Sequence, residues 1–251
     1  MKTKDLYFKY PRSERYAIES VNLDFKDKKI TGVMGENGSG KTTLLRLLAR
    51  FIEPTEGKIE FGDQEIGFSP EDPELGFFEK DVESEIGFYP KNRGLDQEKM
   101  TKKVLEQLDI SHLKEKLPFI LSSGQQRLVS LASVLSGDPD VIILDEPTHS
   151  LHKKGEEKIG EVLKKINKTI IFSTHSSEFA LDYADEIIVM HEGKVLAEGK
   201  PRKILKDKDL LEKAGIRMPE IIRWAKERSL QTIPKDMNEA LKIAKERGEL
   251  D

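Results

Sequence analysis

A glycine-rich loop near the start of the chain has the residue types and the spacing that bind a triphosphate. Residues 35–42 read GENGSGKT and match the pattern G-x-x-x-x-G-K-[ST] at every position. Glycines allow successive backbone amides to turn toward phosphate oxygens at a helix N-terminus, where the helix dipole favours anions. We expect Lys41 to neutralise the β and γ phosphates and Thr42 to offer its hydroxyl to Mg²⁺. The predicted nucleotide-binding residues of this loop are Gly35, Glu36, Asn37, Gly38, Ser39, Gly40, Lys41, Thr42 and Thr43.

Two adjacent acidic residues follow a short apolar run further along the chain. Asp145 and Glu146 come directly after residues 141–144, which read VIIL and favour a strand buried on both faces of a parallel sheet. Ligands of such sheets bind at the carboxyl ends of the strands. We expect Asp145 to hold Mg²⁺ and Glu146 to act as the general base toward water. A solvated pair of carboxylates is the alternative, and the phosphate loop upstream favours the catalytic interpretation.

Two further segments carry candidate chemistry. His175 follows the apolar run 170–173 and is expected at the same sheet edge, where it would donate a hydrogen bond to an oxygen of the γ phosphate. A purely structural histidine is the alternative. Residues 121–125 read LSSGQ and open a predicted helix, so they form either a second anion site or an ordinary N-cap.

The elements around these residues suit an α/β fold. Residues 30–34 alternate as a strand and residues 43–50 favour a helix, which is the strand-loop-helix unit that the loop requires. Apolar runs at 169–172 and 187–190 complete βαβ units. The dinucleotide pattern G-x-G-x-x-G is excluded, because Thr43 stands where its third glycine would be.

The remaining segments predict three additions to this core. Residues 3–34 read largely as short strands of an antiparallel layer, and residues 57–61 and 65–68 predict a hairpin around Gly62-Asp63. Residues 72–136 carry helical patterns. Beyond residue 215, two amphipathic stripes predict two short helices that pack either on their own domain or on a partner. The stripe residues are Met218, Ile221, Ile222 and Ala225, then Met237, Ala240, Leu241 and Ala244.

Composition narrows the classes of function. With 251 residues the chain can hold one large domain and a small appendage. The net charge is -4 and charges of both signs are interspersed, so we expect no nucleic-acid partner. There is no cysteine, which excludes disulfide and thiolate chemistry. We expect a soluble chain, because the first residues lack an apolar signal segment and no apolar run reaches the roughly 18 residues of a membrane span.

Taken together, residues 35–42, 121–125, 141–148 and His175 resemble the ATP-binding-cassette (ABC) ATPases in order and spacing. The resemblance covers residues 1 to about 210. It implies an α/β P-loop NTPase core with an antiparallel β subdomain and a helical subdomain at about 72–136. The implied domains are an ABC ATP-binding domain over residues 1–215 and a small C-terminal helical dimerisation extension over 216–251.

The resemblance also implies a head-to-tail dimer of two cassettes, with ATP between the phosphate loop of one and the signature loop of the other. The signature residues that would grip the partner's ATP are Ser122, Ser123, Gly124 and Gln125. Tyr10 matches the aromatic residue that stacks on adenine. Stacking needs only a flat ring, so Tyr16 is a rival.

Residues 8–11, 85–95 and 217–234 further resemble the ATPase subunits of energy-coupling-factor (ECF) transporters, which import vitamins or transition-metal ions. That resemblance implies a peripheral protein on the cytoplasmic face of the cell membrane. The implied partners are a second ABC ATPase subunit, a membrane-embedded coupling subunit and a substrate-binding membrane subunit. The implied cofactors are ATP and Mg²⁺.

The chain departs from the family pattern at three positions. Glu71 stands where the family has glutamine, Ser123 replaces the first signature glycine, and His152 replaces an aspartate of the dimer interface. Glu71 can still offer an oxygen to Mg²⁺, although it adds negative charge beside the γ phosphate. Ser123 is a small change that retains the amide donors, whereas Glu71 and His152 belong to different sites of the dimer and predict a heterodimer with two unequal sites. The alternatives are a cassette that binds ATP as a structural or regulatory clamp and a soluble ABC ATPase without a transport role.

Overall fold

The computed structural model describes residues 1–230, 232–234 and 237–247. The strands are β1 (Lys2–Phe8), β2 (Ile18–Asp24), β3 (Ile30–Met34), β4 (Glu56–Glu60), β5 (Ile66–Ser69), β6 (Val141–Leu144), β7 (Thr169–Thr174), β8 (Glu186–His191) and β9 (Lys194–Gly199). The helices are α1 (Lys41–Leu48), α2 (Val82–Asn92), α3 (Gln97–Gln107), α4 (Ser123–Ser136), α5 (Lys153–Lys165), α6 (Ser177–Tyr183), α7 (Pro201–Ile204), α8 (Lys208–Lys213), α9 (Glu220–Glu227) and α10 (Met237–Glu246).

The strands form two sheets. The smaller sheet is antiparallel with the order β2-β1-β4, and the larger has the order β5-β6-β7-β3-β8-β9. All neighbours in the larger sheet are parallel except β9, which runs antiparallel to β8. Apolar clusters cover both faces of the larger sheet.

Alternation along the central strands explains their continuous apolar sequence. Ile143 and Ile171 face the cluster that includes α1 and the antiparallel sheet. Ile142 and Phe172 face the opposite cluster, which includes α4, α5 and the helical segment. Because both faces of β6 and β7 are covered, every residue of these two strands is buried. The rigid centre of the fold thus lies directly behind the strand ends that carry Asp145 and His175.

The predicted hairpin between residues 57–61 and 65–68 is wrong. Strand β4 pairs with β1 in the antiparallel sheet, whereas β5 pairs with β6 in the parallel sheet. The turn at Gly62 therefore carries the chain from one sheet to the other. Gly67 lies so close to α4 that an added Cβ would approach Val134 Cγ1 to 2.5 Å. The local turn pattern does not identify the partner of β5, because strand pairing depends on tertiary context.

The last helices pack at least partly on their own domain. Ile222 is buried in a cluster with β8 and α8, and Met218 and Ile221 pack against the same cluster. Ala240 and Ala244 of α10 are buried, while Leu241 is exposed. The side chain of Met237, predicted for this stripe, lies outside the described residues. Of the helices in the described ranges, none combines the length and the apolar character needed to cross a membrane.

Candidate nucleotide-binding site

The predicted site residues meet at one edge of the large sheet. Parallel register aligns Met34 with Thr174 and Leu144 with Phe172, so the loops that follow β3, β6 and β7 leave the sheet side by side. A cavity of about 270 Å³ opens there. Its lining contains Tyr10, Ala17, Asn37, Gly38, Gly40, Lys41, Thr42, Thr43, Glu71, Glu146 and His175.

The phosphate loop requires glycine at two positions, because its backbone there lies close to carbonyl oxygens of neighbouring segments. Gly40 has φ +105, and an added Cβ would lie 2.6 Å from the carbonyl oxygen of Ala17. At Gly35 an added Cβ would lie 2.3 Å from the carbonyl oxygen of Met190. Gly40 is the N-cap of α1, and within the described residues no side chain caps this helix start and no acidic residue lies in its first turn. The amides at the start of α1 are therefore available to an anion.

Lys41 lies at the mouth of this loop with only 6% of its surface exposed. Its Nζ donates to the carbonyl oxygens of Gly35 at 2.9 Å and of Glu36 at 3.1 Å, and lies 3.3 Å from Nε2 of His175. Burial lowers the pKa of Lys41, and the nearby carboxylate of Glu146 opposes that shift. The ammonium group is thus held by backbone oxygens at the point where a triphosphate would offer stronger charged acceptors.

Asp145 is fixed by two hydroxyl groups. Thr42 Oγ1 donates to Asp145 Oδ1 at 3.2 Å, and Ser173 Oγ donates to the same oxygen at 2.6 Å. Ser173 Oγ also accepts a hydrogen bond from the backbone amide of Glu146 at 2.8 Å. Sequence reasoning missed Ser173. The available signal was a hydroxyl side chain within an otherwise apolar buried strand, which must find a partner there.

Glu146 is buried, and its pKa lies near neutral pH, as a general base requires. It is 6% exposed, and burial raises its pKa to about 7, with Lys41 acting in the opposite direction. Nε2 of His175 lies 3.0 Å from Glu146 Oε1. Burial and then Lys41 lower the pKa of His175, which favours the neutral imidazole. Glu146 therefore has the environment in which a carboxylate accepts a proton at physiological pH.

The structure separates the two aromatic candidates. Tyr10 lines the cavity, its hydroxyl lies 3.1 Å from Thr43 Oγ1, and its ring packs edge-on against Phe8. The hydroxyl of Tyr16 instead donates to Glu56 at 3.2 Å, and Tyr16 is absent from the cavity lining formed by the described residues. Tyr10 is the better placed of the two for an adenine ring.

The signature residues lie apart from this cavity, at the exposed start of α4. Ser122 Oγ accepts from the amide of Gln125 at 3.4 Å, and Gln125 Oε1 accepts from the amide of Ser122 at 3.2 Å. These two bonds form a capping box. Ser122 and Ser123 are both exposed, and Gly124 follows them in the first turn. Within a single chain the loop acts as an ordinary helix cap, and its surface is accessible to another molecule.

Two of the three departures from the family pattern also have clear positions. Glu71 follows β5 and lines the cavity with Lys41 and Glu146. Gln64 lies before β5, where its amide donates to Asp27 at 3.3 Å, so it does not reach the site. His152 is the exposed N-cap residue of α5.

The residues present fit a magnesium nucleotide. Ser39 Oγ is buried and has no hydrogen-bond partner among the described residues, although it lies inside the phosphate loop. Thr42, Asp145 and Glu71 supply hard oxygen atoms of the kind that Mg²⁺ prefers. The described residues form no cluster of three or more acidic, histidine or cysteine side chains that could hold a metal by themselves. Mg²⁺ is commonly bound by one or two protein oxygens together with substrate phosphates.

The fold and the loop define a P-loop nucleotide-binding protein, and comparison with known proteins gives its family. The sequence profile described as ABC transporter matches residues 18–149. The energy-coupling factor transporter ATP-binding protein EcfA2 of Bacillus licheniformis is 37% identical over 250 residues, covering 89% of this chain and 86% of that protein. The energy-coupling factor transporter ATP-binding protein EcfA of Methanocaldococcus jannaschii is 33% identical over 241 residues, covering 88% of this chain and 86% of that protein.

Solved structures agree with these relatives. The structure of cbiO1 from Clostridium perfringens, part of the ABC transporter complex cbiONQ, matches with a TM-score of 0.76 at 30% identity, covering 90% of this chain and 98% of that one. The ATP-binding cassette MJ0796, as a dimer bound to ADP and Pi, matches with a TM-score of 0.73 at 26% identity, covering 80% and 98%. The chain therefore belongs to the ABC transporter family, in the group of energy-coupling factor transporter ATP-binding proteins. It is an ABC-type ATPase, and the α/β ABC fold expected from the sequence is confirmed.

Proposed function

We propose that the chain binds and hydrolyses ATP as an energising subunit of an ECF-type importer for vitamins or transition-metal ions. The observation that carries the proposal is the meeting of Lys41, Asp145, Glu146 and His175 at one sheet edge, in a chain whose relatives are named for this transporter class. The same relatives do not favour a soluble ABC ATPase without a transport role.

Each residue has a distinct role in this proposal. The loop amides and Lys41 bind the phosphates, and Thr42 and Asp145 hold Mg²⁺, assisted by Glu71. Mg²⁺ supplies neutralisation of the charge that develops on the phosphate oxygens. Glu146 takes a proton from the attacking water at a carboxylate oxygen, and His175 holds the γ phosphate through Nε2. The products are ADP and phosphate, and catalysis consists mainly of positioning and electrostatic stabilisation.

The exposed signature loop supports a second ATPase subunit as partner. Ser122, Ser123, Gly124 and Gln125 do not line the phosphate-loop cavity, although Ser123 lines a second cavity with Thr42, Glu71 and Asp145. In this proposal the exposed signature residues contact the ATP of a facing cassette. MJ0796, a structural neighbour, is a dimer with bound ADP and Pi. Glu71 acts on the chain's own site and His152 faces the partner's site, so the two sites of an assembly with a more typical partner would differ. We therefore favour a heterodimer.

An exposed apolar surface supports attachment to a membrane subunit. The rings of Phe51 and Phe68 pack edge-on with centroids 4.9 Å apart, and Phe51 is exposed. Leu75 is 77% exposed and lines one cavity together with Phe68. Grouped exposed apolar side chains are characteristic of protein contact surfaces. This surface would receive the membrane-embedded coupling subunit, and the chain would then lie at the cytoplasmic face as a peripheral protein.

Co-purification from the native source tests this function. The expected complex contains this chain, a second cassette and membrane subunits, and its ATPase activity exceeds that of the chain alone. A homodimer purified by itself with two equally fast ATP sites would contradict the unequal heterodimer. The clamp alternative, which the negative charge of Glu71 favours, requires that hydrolysis in the complex persists when Glu146 of this chain is replaced by glutamine.

A further inference from the structure

One buried cation near the site has no role in the hydrolysis described above. Arg127 lies in α4, is 8% exposed, and directs its guanidinium group toward the loop that follows β6. Arg127 Nε donates to the carbonyl oxygen of His149 at 2.8 Å, and Nη1 donates to the carbonyl oxygen of Glu146 at 3.0 Å. Both contacts are with backbone atoms of the segment that begins at the general base.

Burying a guanidinium group for two neutral carbonyls is energetically costly. A guanidinium stays charged in proteins, and a buried charge is normally compensated by an opposite charge. Within the described residues no carboxylate forms an ion pair with Arg127 at 4 Å or less, although Glu71, Glu146 and Asp72 lie near enough to favour its charge. The planar guanidinium group donates to two carbonyl oxygens at once and so fixes the backbone of the loop at two points.

The loop that Arg127 holds has a strained backbone. Glu146 has φ +47 and Ser150 has φ +61, both in the left-handed region that is unfavourable for residues other than glycine. Such conformations persist where surrounding contacts impose them, and they concentrate at functional sites. The amide of Glu146 is held by Ser173 and its carbonyl oxygen by Arg127. The direction of the Glu146 side chain therefore depends on a bond from α4.

The same helix carries the signature loop at its start. Helix α4 begins at Ser123, with Ser122 as its N-cap, so Arg127 is the fifth helical residue. At a rise of about 1.5 Å per residue, the backbone of Arg127 lies roughly 6 Å along the helix axis from that of Ser123. The signature loop and the donor to the carbonyl oxygen of Glu146 are therefore parts of one helix start.

We propose that Arg127 is a positioning residue that ties the signature loop to the backbone of Glu146. Hydrolysis at the chain's own phosphate loop then depends on what its signature loop holds on the facing subunit. The two nucleotide sites of the assembly are linked through a single buried side chain. This inference rests on the proposed function, since it requires that Glu146 is the base and that the signature contacts a second nucleotide.

Replacement of Arg127 separates positioning from simple structural support. Arg127→Met keeps an unbranched apolar stem and removes both hydrogen bonds, whereas Arg127→Lys keeps the positive charge but replaces the rigid planar group with a single nitrogen donor. We expect Arg127→Met to lower kcat by at least about tenfold, because small misplacements of a reacting group are costly, while the Kd for Mg-ATP changes less than about twofold. The kcat of Arg127→Lys should fall between those of wild type and Arg127→Met.

A rescue experiment uses the smaller variant Arg127→Ala. Added methylguanidinium at millimolar concentration should restore part of its activity.

Arg93→Lys is the matched control. Arg93 donates to the carbonyl oxygen of Gly137 at the opposite end of α4 and also forms an ion pair with Glu65, so this variant perturbs a second arginine on the same helix away from Glu146. We expect its kcat to remain within about twofold of wild type. An unchanged kcat in Arg127→Met, or equal losses of kcat, ATP affinity and melting temperature in Arg127→Met and Arg93→Lys, would overturn the positioning role.

A double-mutant cycle tests the link to the signature. If Ser122→Ala and Arg127→Met act through one connection, their combined effect on kcat is smaller than the product of the separate effects. Simple multiplication of the two effects would contradict the link. The wild-type complex tests the proposed function separately, because that function fails if the complex binds no Mg-ATP. If the wild-type complex hydrolyses ATP and Arg127→Met has the same kcat, only the positioning role of Arg127 is contradicted.

Discussion

The phosphate-loop edge and the signature loop differ in how far one chain completes them. At the phosphate-loop edge, Lys41, Asp145 and Glu146 are buried and bonded to several strands and loops. The signature residues Ser122 and Ser123 are exposed, and the hydrogen bonds of Ser122 stay within its own helix start. The polar groups of the first region are held by contacts within the chain, whereas the second region leaves its helix start exposed to solvent. The comparison supports a protein whose catalytic groups are intrinsic and whose activity depends on a second subunit.

At the phosphate-loop edge, replacing Glu146 should have the largest effect on ATP turnover. In Glu146→Gln the side chain keeps its size and loses the ability to accept a proton, so we expect turnover to fall by about a hundredfold or more. ATP binding should be retained. Steady-state ATPase assays together with calorimetry check both expectations. The control is Glu156→Gln, which changes a partly buried carboxyl group on α5, away from the cavity. Turnover of Glu146→Gln within about twofold of wild type would refute the assignment of Glu146 as the base.

The same substitution should alter stability in a pH-dependent way. Burial raises the pKa of Glu146 from 4.5 to about 7, so its protonated form is favoured by folding. The stabilisation is complete below pH 4.5 and is lost as the pH rises toward 7. At pH 8 we expect nucleotide-free Glu146→Gln to be more stable than wild type by up to about 3 kcal/mol, and at pH 4 nearly equal. Urea unfolding at the two pH values measures the difference, and equal stability at pH 8 would contradict the raised pKa.

A substitution in the signature loop should affect the assembly and spare the chain's own binding site. In Gly124→Asp the added carboxylate repels the phosphate of the facing subunit, and we expect about a tenfold loss of ATPase activity in the complex. Mg-ATP binding to the isolated chain should remain unchanged. Gly62→Asp, at a turn glycine with open space around its Cβ position and a left-handed backbone that aspartate tolerates, is the control. If Mg-ATP binding to the isolated Gly124→Asp chain fell by about tenfold as well, the signature loop would be part of the chain's own binding site, and the distinction between the two regions would fail.

The aromatic contact should have the smallest effect. Stacking of a base on an aromatic ring contributes about 1–3 kcal/mol, so Tyr10→Ala is expected to weaken Mg-ATP binding by about tenfold. Tyr16→Ala should change the affinity little, because its hydroxyl bonds to Glu56 away from the cavity. Comparing the affinities of the two variants for ATP and for triphosphate alone isolates the contribution of the base. A larger loss in Tyr16→Ala would reverse the assignment.

The parts of the fold that the sequence predicts are those set by local pattern. The phosphate loop, the buried strand before Asp145 and the βαβ order all follow from glycine spacing and apolar runs. The hairpin at Gly62 is wrong because a turn shows where the chain reverses and not which strand it then joins. Strand β5 pairs with β6 and packs closely beneath α4 at Gly67, and both are contacts between distant parts of the chain.

The contacts that fix the site are less visible in the sequence. Ser173 and Arg127 lie 28 and 19 residues from the groups they hold, and each acts on backbone or carboxylate atoms that only the folded chain brings near. A hydroxyl in an apolar strand and an arginine in an apolar helix are the only signals they leave. The sequence therefore identifies the groups that act on ATP more readily than the groups that position them.

Calorimetric titration of Mg-ATP into the wild-type chain and Lys41→Ala tests the central claim most directly. We predict one Mg-ATP bound per wild-type chain, with the Kd raised about a hundredfold or more in Lys41→Ala, because a charge-assisted contact with the phosphates is lost. Lys80→Ala, which changes a lysine whose side chain is 82% exposed, should bind as wild type does. Absence of binding heat from the wild-type chain at millimolar Mg-ATP, or equal affinity in Lys41→Ala, would contradict the account.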